Sequence, residues 1–205
     1  MIDEIFNAHG TDKGSKGHNY SPYYEMMFAP YKDKPISLLE IGVWEGASCR
    51  AWKDYFPKAN IFGVDLEYKP QYNEQRIFMI KADQSNQEDL DRLAEVPYDI
   101  IVEDGSHRGE DQLKSFETLF PSLKAGGLYV LEDLLCSYDS RWNNPVNIMD
   151  TIRNWTGDVM MNGKVPGSRL CANKREQVKL YDGTYWEKHI EWIFLGMGIC
   201  FVKKM

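Results

Sequence analysis

The chain has 205 residues and a formal net charge of −7, a length that favours one well-buried domain spanning 1–205. The acidic balance argues against nucleic acid as the main partner, because binding to a phosphate backbone needs clustered Lys and Arg. We find no apolar signal sequence and no run long enough to cross a bilayer, so we expect a cytoplasmic protein without a membrane span. The four cysteines are far apart and form no CxxC pair, which favours free thiols over a disulfide frame or a zinc site.

The first 35 residues form a glycine-rich segment that ends in an aromatic stretch. Gly10, Gly14 and Gly17 predict a loop before Ser21, which could cap a helix with Pro22 at its first position. Polar side chains in this loop (Lys13, His18 and Tyr20) allow two interpretations. The segment is either a surface loop or a cover over a ligand.

Apolar runs then alternate with helical patterns along the chain. The continuous run at 36–42 predicts a strand buried on both faces, and the runs at 60–64, 77–80, 99–102 and 128–131 predict further strands. Strands that alternate with helices predict a parallel sheet with helices on both sides, a Rossmann-like α/β fold. Between them, Ser85 to Glu88 resembles a capping box that opens a helix. Runs at 191–196 and 199–204 predict a closing antiparallel hairpin, and 147–155 predicts a further helix.

The first strand ends in the motif EIGVWEG, from Glu40 to Gly46. Gly42 lets a ligand approach the backbone, and Gly46 lets the next helix start close to the sheet. A dinucleotide fingerprint would need glycine at the positions of Trp44 and Ala47, and no basic cluster is present to bind phosphates. The turn therefore suits a cationic or hydroxyl-rich ligand.

Carboxylates end the second and third strands as well. Asp65 is placed to accept hydrogen bonds from ribose hydroxyls, and Asp83 with Gln84 lies where an adenine amino group could be bound. Taken singly, Asp65 is more often a turn or capping carboxylate, and Asp83 a loop acid. Together with Glu40 they end successive strands, which favours a nucleoside ligand without phosphates.

A second group of acids follows the fourth and fifth strands, at Asp104, Glu132 and Asp133. Three adjacent carboxylates repel each other unless a cation lies between them, and oxygen ligands favour Mg²⁺ or Ca²⁺ over zinc. His107 could then act as the general base. Capping by the acids and packing of the histidine are the plain alternatives for each residue alone. As a set at neighbouring strand ends, these residues favour a cation site with a general base.

These motifs resemble those of class I S-adenosylmethionine-dependent methyltransferases. EIGVWEGAS is similar to the family's first motif, and DQS at 83–85 is similar to its adenine-side motif. VEDGSH, SFETLFPSLKAGGLYVLEDL and the opening GTDKGSKGHNYSPYYE resemble the metal-dependent sugar O-methyltransferases of the mycinamicin type. Glu103 departs from the second Asp common in that group, and we expect little effect.

The resemblance implies a mostly parallel seven-stranded sheet with a C-terminal antiparallel hairpin. It also implies S-adenosylmethionine and Mg²⁺, or another divalent cation, as cofactors. The implied metal ligands are Asp104, Glu132 and Asp133, with His107 as the base. The implied cofactor-binding residues are Glu40, Gly42, Gly46, Ser48, Asp65, Asp83, Gln84 and Asp104.

The acceptor-binding insertion is predicted at 137–187. Tyr138, Arg141 and Trp142, with Trp155 and Arg169, are expected to form the acceptor pocket, since aromatic rings stack on sugar faces. The predicted reaction is methyl transfer to a sugar hydroxyl of a glycosylated natural product or a surface polysaccharide. A catechol-like phenol acceptor and a non-catalytic cofactor-binding module remain alternatives, and a homo-oligomer is allowed. Macrolide-modifying members carry a further N-terminal domain, so neither their acceptor nor their assembly is carried over.

Overall fold

A computed structural model describes residues 1–142, 145–161 and 184–205. Its seven strands form one sheet in the order β3-β2-β1-β4-β5-β7-β6. The strands are β1 (Ser37–Ile41), β2 (Asn60–Asp65), β3 (Ile77–Lys81), β4 (Ile100–Glu103), β5 (Leu128–Leu131), β6 (Ile190–Leu195) and β7 (Cys200–Lys204). This is the predicted architecture, in which only β7 runs antiparallel to the other strands.

The first five strands are parallel, and the two strands at the centre determine where a ligand can bind. β1 pairs with β2 on one side and with β4 on the other, with Ile41 opposite both Val64 and Glu103. The chain therefore leaves β1 in one direction for β2 and β3, and in the other for β4 and β5. Ligands of open parallel sheets bind beyond the carboxyl ends of the strands at such a point.

Helices cover both faces of the sheet and enclose two apolar cores. The α-helices are α1 (Ile2–His9), α2 (Ser21–Phe28), α3 (Ala47–Tyr55), α4 (Gln87–Ala94), α5 (Gly109–Leu119), α6 (Ile148–Met161) and α7 (Tyr185–His189). Short 3₁₀ helices occur at Ala29–Tyr31, Pro70–Tyr72, Leu134–Tyr138 and Ser140–Trp142. One core contains Trp52 of α3, and the other contains Phe116 of α5. None of the helices in the described ranges is long and apolar enough to cross a membrane.

The prediction that no helix precedes Ser21 is wrong, because the N-terminal segment contains α1. α1 forms because Ile2 and Phe6, four residues apart, share one face that is completely covered. The Phe6 ring meets the Trp52 ring edge-on at 5.0 Å. Gly10 then ends the helix in the left-handed conformation, so the glycine that suggested a loop is the C-cap.

Two smaller predictions also change. The N-cap of α4 is Asn86, whose side chain accepts hydrogen bonds from the backbone of Glu88 and Asp89, whereas the Ser85 hydroxyl binds Asp83. The predicted capping box at Ser85 is therefore wrong by one residue. α6 extends six residues beyond the expected end at 155, to Met161. The C-terminal hairpin is confirmed, since β7 pairs antiparallel with both β5 and β6.

Candidate active site

The carboxyl ends of β1 to β5 open into two adjoining cavities. The first has a volume of about 470 Å³ and is lined by the turn after β1, by residues 10–13 of the N-terminal segment, and by His107 and Asp133. The second, of about 400 Å³, is lined by the ends of β2 and β3. Both are lined by Gly42, Asp65 and Gly105, so they form one continuous cleft. The predicted nucleoside and cation residues therefore border the same space.

Gly42 makes this arrangement possible because β1 and β4 approach each other closely at their ends. Its φ is +88°, and a Cβ there would lie 2.0 Å from the carbonyl oxygen of Asp104. Gly46 is also left-handed and begins α3, where Ser48 donates a 2.8 Å hydrogen bond to Glu40. Glu40 itself is fully buried behind Ser48, so it supports the turn from below the cavity.

Asp65 lies at the junction of the two cavities and holds the turn after β1. Its Oδ2 atom accepts hydrogen bonds from the backbone N–H groups of Val43 and Trp44, at 3.2 and 3.1 Å. Lys69 Nζ lies 3.3 Å from the same oxygen and donates to the Trp44 carbonyl at 2.6 Å. These three groups fix Oδ2 of Asp65 at the cavity wall, and Oδ1 accepts a hydrogen bond from the backbone of Glu67 at 3.0 Å. The sequence offered one signal for Lys69, its position four residues after Asp65.

Asp83 and Gln84 line the second cavity but have different surroundings. Asp83 accepts hydrogen bonds from the backbone and hydroxyl of Ser85, and these lower the pKa of the Asp83 carboxyl. The Gln84 amide donates to Glu103 at 2.9 Å and accepts from the backbone of Ser106 at 2.7 Å. Both ends of the Gln84 amide therefore contact the end of β4 and the loop that follows it. Glu103, which replaces the second Asp of the family motif and was expected to have little effect, orients this amide.

Three groups at the ends of β4 and β5 could hold a metal ion. Asp104, His107 and Asp133 each offer one ligand atom, and these atoms lie within 4.8 Å of one another. His107 Nε2 is 3.6 Å from Asp133 Oδ2. All three residues are partly exposed to the first cavity, and two carboxylates with one imidazole fit a divalent cation.

Glu132, the third predicted metal ligand, is buried and does not belong to this group of three residues. Its carboxylate is 1% exposed and accepts hydrogen bonds from the Tyr24 hydroxyl and, at 2.9 Å, from Lys13 Nζ. Burial and the Asp104 carboxylate raise the pKa of the Glu132 carboxyl. Its role as a ligand stays a prediction, and such a role would require a carboxylate oxygen to be shared with these donors.

Lys13 is the residue of this site that sequence reasoning missed as a partner. Its side chain is 1% exposed, and Nζ donates hydrogen bonds to Asp104 and Glu132 and lies 3.8 Å from Glu40. Burial lowers the pKa of Lys13, but the three carboxylates outweigh that effect and hold it well above the ordinary value. Lys13 is therefore a buried ammonium ion. No local pattern marks it, because its partners lie far away in sequence.

Tyr20 and Tyr24 extend the contact between the N-terminal segment and the acids. The Tyr20 hydroxyl donates to Asp133 at 2.9 Å, and that of Tyr24 donates to Glu132. Burial raises the pKa of both phenols, so they remain protonated donors. The segment predicted to cover a ligand thus reaches each carboxylate that follows β4 and β5.

Comparisons with known proteins show similarity to methyltransferases. Residues 39–134 match a family model described as a methyltransferase domain. The structure also superimposes on the crystal structure of MycE methyltransferase from the mycinamycin biosynthetic pathway, in complex with Mg and SAH. The TM-score is 0.85 at 29% identity, covering 99% of this chain and 54% of the other. The chain has a methyltransferase domain. Its fold is that of the class I methyltransferases, which confirms the resemblance seen in the sequence.

Two curated relatives of this methyltransferase domain are named as sugar-modifying enzymes. Mycinamicin VI 2''-O-methyltransferase of Micromonospora griseorubida is 38% identical over 146 residues, which are 67% of this chain and 37% of the relative. A tetracenomycin-C 2'-O-methyltransferase of Streptomyces olivaceus, whose named substrate carries an α-L-rhamnosyl group, is 42% identical over 139 residues, covering 63% and 36%. The matched part spans little more than a third of either relative.

The predicted acceptor residues of the methyltransferase domain separate into two groups. The Trp142 ring meets the His107 ring edge-on at 5.3 Å, beside the first cavity. Arg141 instead pairs with Asp139, and the Tyr138 hydroxyl accepts a hydrogen bond from Arg153. Trp155 stacks on Phe116 at 4.1 Å within the core, and core packing is the usual role of a Trp side chain. Arg169 lies outside the described residues.

Proposed function

We propose that this chain transfers a methyl group from S-adenosylmethionine to a sugar hydroxyl, with a divalent cation, preferably Mg²⁺. The observation that carries the proposal is the continuity of the cleft from Asp83, past Asp65, to the group of Asp104, His107 and Asp133. One end offers hydrogen-bond acceptors for a nucleoside, and the other offers metal ligands and a base. A methyl donor and a cation-bound hydroxyl would meet between them.

The cofactor would extend along the two cavities, with its adenine in the second. Asp83 would accept from the adenine amino group and Asp65 from the ribose hydroxyls, because both carboxylates face the cleft. The methionine end would lie over Gly42 and Ser48, with Asp104 beside it. Glu40, Gly46 and Gln84 would act indirectly, by holding the turns that shape this surface.

When bound, the cofactor supplies an electrophilic methyl carbon and the cation lowers the pKa of a coordinated hydroxyl. Asp104 and Asp133, with Glu132 as the third predicted ligand, would hold the cation. His107 would accept the hydroxyl proton at Nε2 as the oxygen–methyl bond forms and the methyl–sulfur bond breaks, which leaves S-adenosylhomocysteine. Asp133, 3.6 Å away, would stabilise the imidazolium that forms. Fixed alignment of the two reactants would supply much of the rate.

The acceptor class is inferred from the relatives. Because the matched relatives are named as O-methyltransferases of sugars on natural products, we infer a glycosylated natural product or a surface polysaccharide as acceptor. Trp142 would provide an apolar face beside the base, and the remaining pocket would come from 137–187. We infer that the reaction takes place in the cytoplasm on a small molecule or saccharide, without nucleic acid, and that the protein could assemble as a homo-oligomer.

The deciding experiment is methyl transfer by the full chain to rhamnosylated and other deoxysugar acceptors, followed by mass spectrometry. We expect methylated product with Mg²⁺, strong loss with a chelator, and strong loss in Asp104→Asn. Product formation that resists both chelation and this substitution would overturn the proposed role of the divalent cation. A catechol in the same panel tests the phenol alternative. Absence of cofactor binding by calorimetry would overturn the proposal, whereas binding without turnover of any acceptor would favour a non-catalytic module.

A further inference from the structure

The carboxylates behind the candidate cation site outnumber the cationic groups near them. Glu40, Asp104 and Glu132 all lie within 3.8 Å of Lys13 Nζ, and the Glu40 and Glu132 side chains are at most 1% exposed. Water cannot replace the ammonium at such depth, and uncompensated buried carboxylates are costly. One of the three, Asp104, also belongs to the group of possible metal ligands. Lys13 and a bound cation would therefore share Asp104.

We propose that Lys13 is a positioning residue that acts as a built-in counter-charge for the cation site. It holds the Asp104 and Glu132 carboxylates in place and offsets part of their negative charge, so that the protein folds without a divalent ion. Lys13 donates to Oδ2 of Asp104, and Asp104 also lines the first cavity. This inference rests on the cation part of the proposed function and adds a residue that the motifs of the strand ends do not include.

The backbone around Lys13 is fixed by contacts that do not involve its ammonium group. The Lys13 carbonyl accepts a hydrogen bond from the backbone of Tyr20 at 2.9 Å. Asp3 binds the backbone of Ser15 at 2.7 Å and also the Ser21 hydroxyl. Since these contacts hold both ends of the loop, a change of the Lys13 side chain removes a charge without releasing the segment.

The test separates charge from packing at this position. Lys13→Met removes the charge from a similar volume, Lys13→Arg retains it, and Lys16→Met removes an exposed charge three residues away as the matched control. Thermal unfolding is recorded for each variant with chelator and with saturating Mg²⁺. Titration calorimetry gives the Mg²⁺ affinity.

We expect Lys13→Met to melt on the order of 10 °C below the native protein in chelator, because a buried ion pair is broken. Mg²⁺ should then raise its Tm at least about twice as much as that of the native protein, with an affinity at least about tenfold higher, since the repelling ammonium is gone. Lys13→Arg and Lys16→Met should respond to Mg²⁺ as the native protein does. An equal Mg²⁺ response in Lys13→Met and the native protein would overturn the proposal, whatever the loss in Tm.

A double variant covers the case in which Lys13→Met does not fold by itself. Lys13→Met with Glu132→Gln removes opposite charges together, so it should be more stable than Lys13→Met alone. A double variant that is no more stable, or that also fails to fold, assigns Lys13 a packing role and overturns the proposal. If the native protein itself shows no Mg²⁺ response, the cation part of the proposed function fails, and the double variant alone decides the role of Lys13.

Discussion

Lys13 Nζ donates a 2.9 Å hydrogen bond to Glu132 Oε2 across 119 positions of sequence. This contact joins a glycine-rich N-terminal loop to the end of β5, and Lys13 reaches Asp104 at the end of β4 from the same point. The N-terminal segment is therefore part of the site wall. The chemistry proposed for the strand ends depends on residues that precede the first strand.

Replacement of His107 by Ala tests the assignment of the base. The variant should lose methyl transfer by about 10²- to 10⁴-fold, the range that general base catalysis contributes. Binding of S-adenosylhomocysteine, measured by calorimetry, should remain nearly native because the nucleoside end of the cleft is unchanged. His9→Ala is the matched control, since His9 pairs with Asp54 at the surface. Turnover that survives in His107→Ala would refute the assignment.

Asp65→Asn tests the ribose end of the cleft. The substitution keeps the size of the side chain but removes the charge that lies against Lys69 and the backbone of the turn. We expect S-adenosylhomocysteine to bind about tenfold or more weakly, since hydrogen bonds to charged groups contribute about 1.5–3 kcal/mol. Glu67→Gln, an exposed neighbour, should leave the affinity unchanged. Equal affinities of the two variants would exclude Asp65 from ribose binding.

Glu103 should make the stability of the chain depend on pH. Burial raises the pKa of the Glu103 carboxyl from 4.5 to about 7. Between these values the folded chain retains a proton that the unfolded chain has lost. The stabilisation is thus complete below pH 4.5 and is lost as the pH rises through about 7.

Glu103→Gln isolates this effect from that of the other buried acids. The free energy of unfolding of the native protein, relative to this variant, should fall by up to about 1.4 kcal/mol per pH unit inside that window. Denaturant unfolding at several pH values from 4 to 8, about one unit apart, measures the difference. A constant difference would show that Glu103 does not titrate there.

Two glycine-to-alanine substitutions should have opposite effects. Gly42→Ala would place a Cβ 2.0 Å from the Asp104 carbonyl at a φ of +88°, so it should destabilise the fold and abolish cofactor binding. Gly157 lies exposed within α6, and a Cβ there meets no atom within 4 Å. Gly157→Ala should therefore raise stability by about 0.5–1 kcal/mol. Thermal unfolding measures both, and equal effects would contradict the close approach at Gly42.

Local patterns in the sequence predicted the sheet because each central strand is buried on both faces and reads as a continuous apolar run. The acids that end those runs, including Asp65, Asp83 and Asp104, could also be predicted, because they follow the apolar runs directly in the sequence. α1 was missed because three glycines suggested a loop, although Ile2 and Phe6 already lay four residues apart. Gly10 ends the helix rather than preventing it.

The sequence by itself determined which residues stand at the strand ends, and so the two halves of the candidate site. Only the tertiary structure decided how those residues are used. Glu132 lies against Lys13 and Tyr24, and Gln84 is bound at both ends by Glu103 and Ser106. The physical reason is that the hydropathy pattern and the helix or strand periodicity are local properties of the sequence, whereas the partner of a buried charge depends on which distant segments the fold brings within hydrogen-bond distance.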